Sequence, residues 1–172
     1  MRTKSEDGNI VFTFAVFILS ALLAMTTSAL AAGSPSVGAP KSRSGDEKRQ
    51  QANIHFRQGE VYAEKMRYKE AAREYEKAVQ IDSGYAEAHS NLGYSYRKQG
   101  LYDEAVASYK RAIALDPELS EAYEYLGEAY AEMKKFDLAE EQLRALKRLD
   151  PDEAEALAAF IQKMKKSSYG SK

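Results

Sequence analysis

The chain has 172 residues and a formal net charge of −1, enough for one modest domain and without the basic excess that marks a nucleic-acid partner. It contains no cysteine, which excludes disulfides, thiolate metal sites, a cysteine nucleophile and a lipid-modified cysteine anchor. Charged residues make up 30% of the chain, interspersed in sign after residue 40, and few β-branched residues follow residue 50, so solvated helices are favoured over strands.

Residues 8–40 carry no charge, and within them IVFTFAVFILSALLAM (10–25) is a dense apolar run. Arg2 and Lys4 precede it, and Ala29-Leu30-Ala31 fits a small-x-small cleavage pattern. Residues 1–32 are therefore expected to be a signal peptide cut near Ala31 or Ala32, or a retained membrane anchor, since residues 10–32 are long enough to span a bilayer. Either reading exports the rest of the chain: periplasmic or secreted if cut, membrane-anchored if not. GSPSVGAPKSRSG (33–45) has the composition of a flexible linker. Ser44-Gly45-Asp46-Glu47 resembles a capping box, so a folded domain is expected over 46–166.

Residues 52–85, 86–119 and 120–153 form three blocks of one period. Gly59, Gly93 and Gly127 share a column, as do Tyr62, Tyr96 and Tyr130. So do Ala71, Ala105 and Ala139, and Asp82, Asp116 and Asp150 close each block. Each block reads as two helices; in the second these are 86–99 and 102–115, broken at Gly100. Asp116 and Asp150 are expected N-caps, with Pro117 and Pro151 as first helical residues, where no amide donor is needed. Asp82-Ser83-Gly84, which lacks the proline, is expected to be a looser junction. A glycine inside a helix costs about 1 kcal/mol relative to alanine, so its recurrence implies a close helix approach. Ala71, Ala105 and Ala139 are the expected facing surface.

These columns resemble the tetratricopeptide repeat, with its leucine-glycine, tyrosine, alanine, aromatic and proline sites. Gln58 departs from the leucine column of Leu92 and Leu126, and Leu143 from the tyrosine column of Tyr75 and Tyr109. The resemblance implies an all-α fold, a right-handed superhelical solenoid of antiparallel helix pairs. AEALAAFIQKMKK (154–166) follows, with Leu157, Phe160, Ile161 and Met164 in an i, i+3, i+4, i+7 stripe. It is expected to cap the open end of the third repeat, and 167–172 to fray.

His55 and His89 share a column whose third member is Tyr123, so they read as packing residues and not as a metal pair. There is no Gly-rich phosphate loop or supported nucleophile set, and the carboxylates are expected on helix surfaces without perturbed pKa values. No enzyme, metal or cofactor is expected.

Once the packing columns are removed, the first helix of each block presents a second stripe. It includes Phe56, Arg57 and Glu60; then Asn91, Tyr94, Arg97 and Lys98; then Glu121, Glu124, Tyr125 and Glu128. By the resemblance, these stripes line a concave groove that holds an extended or helical peptide. Asn91 matches the asparagine that bonds a ligand backbone in peptide-binding relatives. The cationic clamp for acidic chaperone tails is not matched, because its sites hold Phe56, Glu60, Glu121 and Tyr125. Glu60, Glu64, Glu87, Glu121, Glu124, Glu128 and Glu132 outnumber Arg57, Arg97 and Lys98. The expected partner is a protein or peptide segment, neutral or basic, with an apolar anchor, bound by an exported adaptor or scaffold. A self-assembling structural protein that stacks its repeat ends is the alternative. Nucleic acid is not expected, and membrane contact only through residues 10–32.

Overall fold

The structure, a computed structural model, describes residues 41–169; the expected signal or anchor lies outside the described residues, as do 170–172. The described residues form seven helices: α1 (Lys41–Glu64), α2 (Tyr68–Ile81), α3 (Ala86–Lys98), α4 (Tyr102–Leu115), α5 (Ser120–Glu132), α6 (Phe136–Leu149) and α7 (Pro151–Tyr169). Among them there is no strand, and no helix long and apolar enough to cross a membrane. Helices pair as α1–α2, α3–α4 and α5–α6, each pair packs on the next, and α7 lies against α5 and α6. The fold is an all-α helical repeat solenoid. Ala71, Ala105 and Ala139 are fully buried where the helices cross, which lets backbones approach closely.

The turns repeat as faithfully as the helices. Arg67, Leu101 and Lys135 each donate a backbone N–H to the carbonyl of Tyr62, Tyr96 and Tyr130, closing α1, α3 and α5 with the same six-residue loop. This loop needs one left-handed residue, supplied by Gly100 (φ 78°), Met66 (φ 55°) and Lys134 (φ 61°). Only the middle repeat places glycine there, where the left-handed backbone carries no Cβ penalty.

The expected role of Asp116-Pro117 is corrected. Leu119 donates its N–H to the Asp116 carbonyl, so residues 116–119 make a turn and α5 begins only at Ser120. Pro117 occupies the second position of that turn, which suits its fixed φ, and Asp116 Oδ1 accepts from the N–H of Glu118. Asp82-Ser83-Gly84 is the same turn, with Asp82 Oδ1 accepting from Gly84 N. Only Pro151 opens a helix, because Asp150 Oδ1 accepts from both Asp152 and Glu153 and carries the chain straight into α7.

Helix ends also differ from expectation. α1 runs unbroken from Lys41, so the last residues of the expected 33–45 linker are helical and Ser44 lies inside the helix instead of capping it. The extra turns are used: Arg49 Nε donates to Asp82 Oδ2 and its guanidinium lies 4.0 Å over the Tyr85 ring. At the other end α7 begins three residues before the expected 154 and continues to Tyr169, so 167–169 are helical.

The partner of the glycine column is a further correction. A Cβ at Gly59 would lie 2.6 Å from the Tyr75 ring, and one at Gly93 would lie 2.8 Å from the Tyr109 ring. The rings, and not the alanines, require glycine. In the third repeat the ring is replaced by Leu143, and Leu157 of α7 fills the vacated space, 2.7 Å from a Cβ built on Gly127. Leu157 and Ile161 are 1% exposed, so α7 completes the core of the third repeat.

Gly93→Ala should lose about 1–3 kcal/mol in urea unfolding, because the Tyr109 ring is fully buried and has no room to shift. Gly127→Ala should cost less than about 1 kcal/mol, since it meets the methyl tips of Leu157 and gains helix propensity. Met66→Gly should stabilise by about 1 kcal/mol through relief of the left-handed backbone, with little packing lost at a side chain 74% exposed.

Candidate functional site

The inner helices α1, α3 and α5 carry the predicted stripe, and between them lies a hollow of about 230 Å³. Its lining is Glu60, Ala63 and Glu64 from α1, Tyr75 from α2, Asn91 and Tyr94 from α3, and Tyr125 from α5. The fold thus brings predicted Glu60, Asn91, Tyr94 and Tyr125 to one place. Tyr94 and Tyr125 meet at 5.3 Å between centroids, tilted by 48°. Tyr125 also packs on Tyr109, and burial, then Glu121 and Glu124, pushes its phenol up to about 12. These rings are half-buried and rigidly supported, so the hollow is preformed.

Other predicted residues lie elsewhere. Phe56 stacks on Tyr85 at 4.9 Å and meets Tyr75 at 5.6 Å, which makes it a packing residue beneath the groove. Arg57 lines a separate hollow with Gln50, Asn53 and Ile54. Arg97, expected as a groove cation, is 5% exposed. Its two terminal nitrogens pair with Glu128 Oε2 at 2.6 Å and Glu132 Oε1 at 2.9 Å, tying α3 to α5. Two flanking carboxylates make this burial tolerable for the guanidinium, and they leave it engaged within the chain. Lys98 stays exposed, with Nζ 5.1 Å from the Tyr94 ring centroid.

The expectation of unperturbed carboxylates is also corrected. Burial pushes the Glu124 carboxyl up to about 7, reinforced by the charges of Glu128, Glu153 and Glu121 and opposed by Arg97. Burial likewise raises Glu121, with Glu153 and Glu87 adding to it. Sequence reasoning missed Glu153, which α7 brings back beside α5, and it missed Tyr75, which belongs to a second helix. A signal for Arg97 existed: an arginine set among glutamates at helical spacing is a candidate for internal pairing.

The two histidines are structural. His55 Nδ1 lies 2.7 Å from Glu74 Oε2. His89 Nε2 lies 3.3 Å from the Ser83 carbonyl, and Tyr123, in the same column, donates its hydroxyl to the Pro117 carbonyl at 3.2 Å. In the second and third blocks this column thus ties α3 and α5 to the turn before each, whereas in the first it ties α1 to α2. Among the described residues no group of three or more His, Cys, Asp or Glu side chains is placed to hold a metal ion.

The turn geometry, the glycine contacts and the inner-helix hollow define a helical-repeat protein with a lined groove. Family profiles described as TPR repeat match residues 59–100 and 93–134, and one described as tetratricopeptide repeat matches 120–153. Together they span more than half of the chain, which belongs to the tetratricopeptide repeat family. No curated protein matches it. Among solved structures it is similar to the TPR domain of Arabidopsis OM64, at 16% identity and TM-score 0.64, covering 67% of this chain and 98% of that one. The second TPR domain of Spaghetti (RPAP3), bound to the HSP90 peptide SRMEEVD, is 25% identical with TM-score 0.59, covering 62% of this chain and 97% of that one. The TPR2B domain of yeast Sti1, in a pHsp70 complex, is 23% identical with TM-score 0.62, covering 70% of this chain and 98% of that one.

Two measurements test the electrostatics. Arg97→Met should cost about 3 kcal/mol in denaturant unfolding, since it leaves Glu128 and Glu132 facing each other without their cation. Glu124 binds its proton more tightly folded than unfolded, so it weakens the fold above pH 7, and that burden lifts as pH falls through about 7. Glu124→Gln should therefore raise Tm at pH 8, and the gain should vanish toward about pH 3, where the wild-type carboxyl is protonated both folded and unfolded.

Proposed function

We propose that this chain is a non-enzymatic protein-interaction module, an exported adaptor or scaffold, whose inner groove holds a peptide or helix of a partner protein. The observation that carries the reading is the convergence of Glu60, Asn91, Tyr94 and Tyr125 on one preformed hollow. Aromatic rings with a single amide among them are the composition of a peptide groove: area from the rings, orientation from the amide. The Spaghetti domain binds a peptide ending in EEVD. This groove suits the opposite charge, because Arg97 is spent internally and Glu60 and Glu64 are the charged residues of the lining. The ligand is accordingly neutral or basic with an apolar anchor. Export rests on the apolar run at 10–25 and the Ala29-Leu30-Ala31 pattern.

The test is crosslinking and pull-down from cells, with wild type beside an Asn91→Ala, Tyr94→Ala double variant whose helicity is checked by circular dichroism. A partner retained by wild type and lost from the variant is expected, with affinity falling as salt rises. Equal capture by both, or a preference for acidic peptides, would count against the groove. The mass of the protein recovered from cells should show loss of the first 31 or 32 residues if the leader is cut.

Self-assembly is the second reading, favoured by one observation. Ile54 is 69% and Val61 39% exposed, whereas Ala88 and Ser95, their counterparts one repeat later, are buried under the preceding helix pair. A light-scattering mass that grows with concentration would favour this reading over the adaptor.

A further inference from the structure

The hollow between α1, α3 and α5 has an uneven lining. Its floor and one side are rings: Tyr75, 2% exposed, with Tyr94 and Tyr125. The opposite rim holds Glu60 and Glu64, one helical turn apart on α1, both exposed. No basic side chain is part of the lining. Neither glutamate takes part in an ion pair of the kind that engages Glu70, Glu74, Glu128, Glu132 and Glu140. Like charges one turn apart on a helix repel, so the pair is held at a cost unless a cation relieves it.

The rings already act as cation acceptors. The Arg97 guanidinium lies 5.5 Å from the Tyr94 centroid and 6.0 Å from that of Tyr125, and the Lys98 ammonium lies 5.1 Å from that of Tyr94. The negative faces of tyrosine rings attract such groups, more strongly as water is excluded. The field of the rim also reaches the floor. The Tyr75 phenol is pushed up first by burial and then by the charge of Glu60, opposed by a hydrogen bond with the Asn91 side chain and reinforced by Glu64.

An apolar floor beneath an anionic rim is the complement of a long amphipathic side chain, whose methylene stem lies on apolar surface while its charged head stays near solvent. We propose that the hollow takes the side chain of a lysine or arginine from the bound segment. The apolar anchor and the positive charge of the ligand are then one residue. Its stem lies against Tyr94 and Tyr125, and its head lies between Glu60 and Glu64. Asn91 borders the same position in the lining. This inference rests on the groove reading above, and sharpens it to one residue class at one position.

The test is an NMR titration of the isotope-labelled chain with acetyl-Ala-Ser-Gly-X-Gly-Ser-Ala-amide peptides, where X is lysine, arginine, norleucine or glutamate. Norleucine keeps the stem of lysine without its charge. Lysine or arginine should bind about tenfold more tightly than norleucine, and glutamate should not bind, with shifts centred on the Asn91 side chain and the Tyr94 ring. The Glu60→Gln, Glu64→Gln variant, altered only at exposed side chains, should lose the lysine advantage and keep the norleucine affinity. Lys98→Ala should strengthen lysine binding severalfold, because it removes a competing ammonium from the Tyr94 ring. Norleucine binding as tightly as lysine at the same residues would overturn the cation pocket while leaving the peptide groove intact. If no peptide shifts Asn91 or Tyr94, both fall together.

Discussion

A ring pressed against a backbone is the contact on which the array depends. Tyr75 and Tyr109 lie where any side chain on Gly59 or Gly93 would stand, and this sets how closely the two helices of a pair approach. Once that distance is fixed, Ala71 and Ala105 can be fully buried at the crossing and the next pair can dock on the exposed face. No single pair has an interior of its own. Each shares its buried clusters with a neighbour, as expected for a solenoid in which stability is shared between adjacent units.

The groove follows from the same geometry. Because the first helices of successive pairs lie side by side, Tyr94 and Tyr125, which are far apart in sequence, become ring neighbours. Arg97 uses this proximity to reach Glu128 and Glu132, which fixes α3 relative to α5 and removes one cation from the ligand-facing surface. What remains toward solvent is predominantly acidic. The structural tie and the character of the binding face are two outcomes of one ion-pair arrangement.

Much of the fold was legible from the sequence, because a repeat states its constraints three times. The helix boundaries of the second block, the break at Gly100 and the buried alanines were read from columns alone. Where reading failed, the cause was an interaction that crosses columns. Pro117 looked like Pro151, but Asp116 accepts one amide and Asp150 two, and only the second arrangement continues as a helix. The glycines looked as if they faced alanines, because ring placement depends on side-chain direction, which the period does not record. Glu124 looked like a surface carboxylate, because its burial depends on how the helices pack and its neighbour Glu153 is returned to it by α7, neither of which the period records.

Leu143 has a consequence beyond its own packing. In the first two blocks its column holds the ring that fills the space against glycine, whereas here the shorter side chain leaves that space to Leu157 of α7. A tyrosine at 143 would compete for the volume α7 occupies and would expose the surface on which another pair could be added. The same column that lets the first two pairs fill the space against glycine with their own second helix leaves that space in the third to α7. Side-chain size at one position thus decides which helix closes the core of a pair.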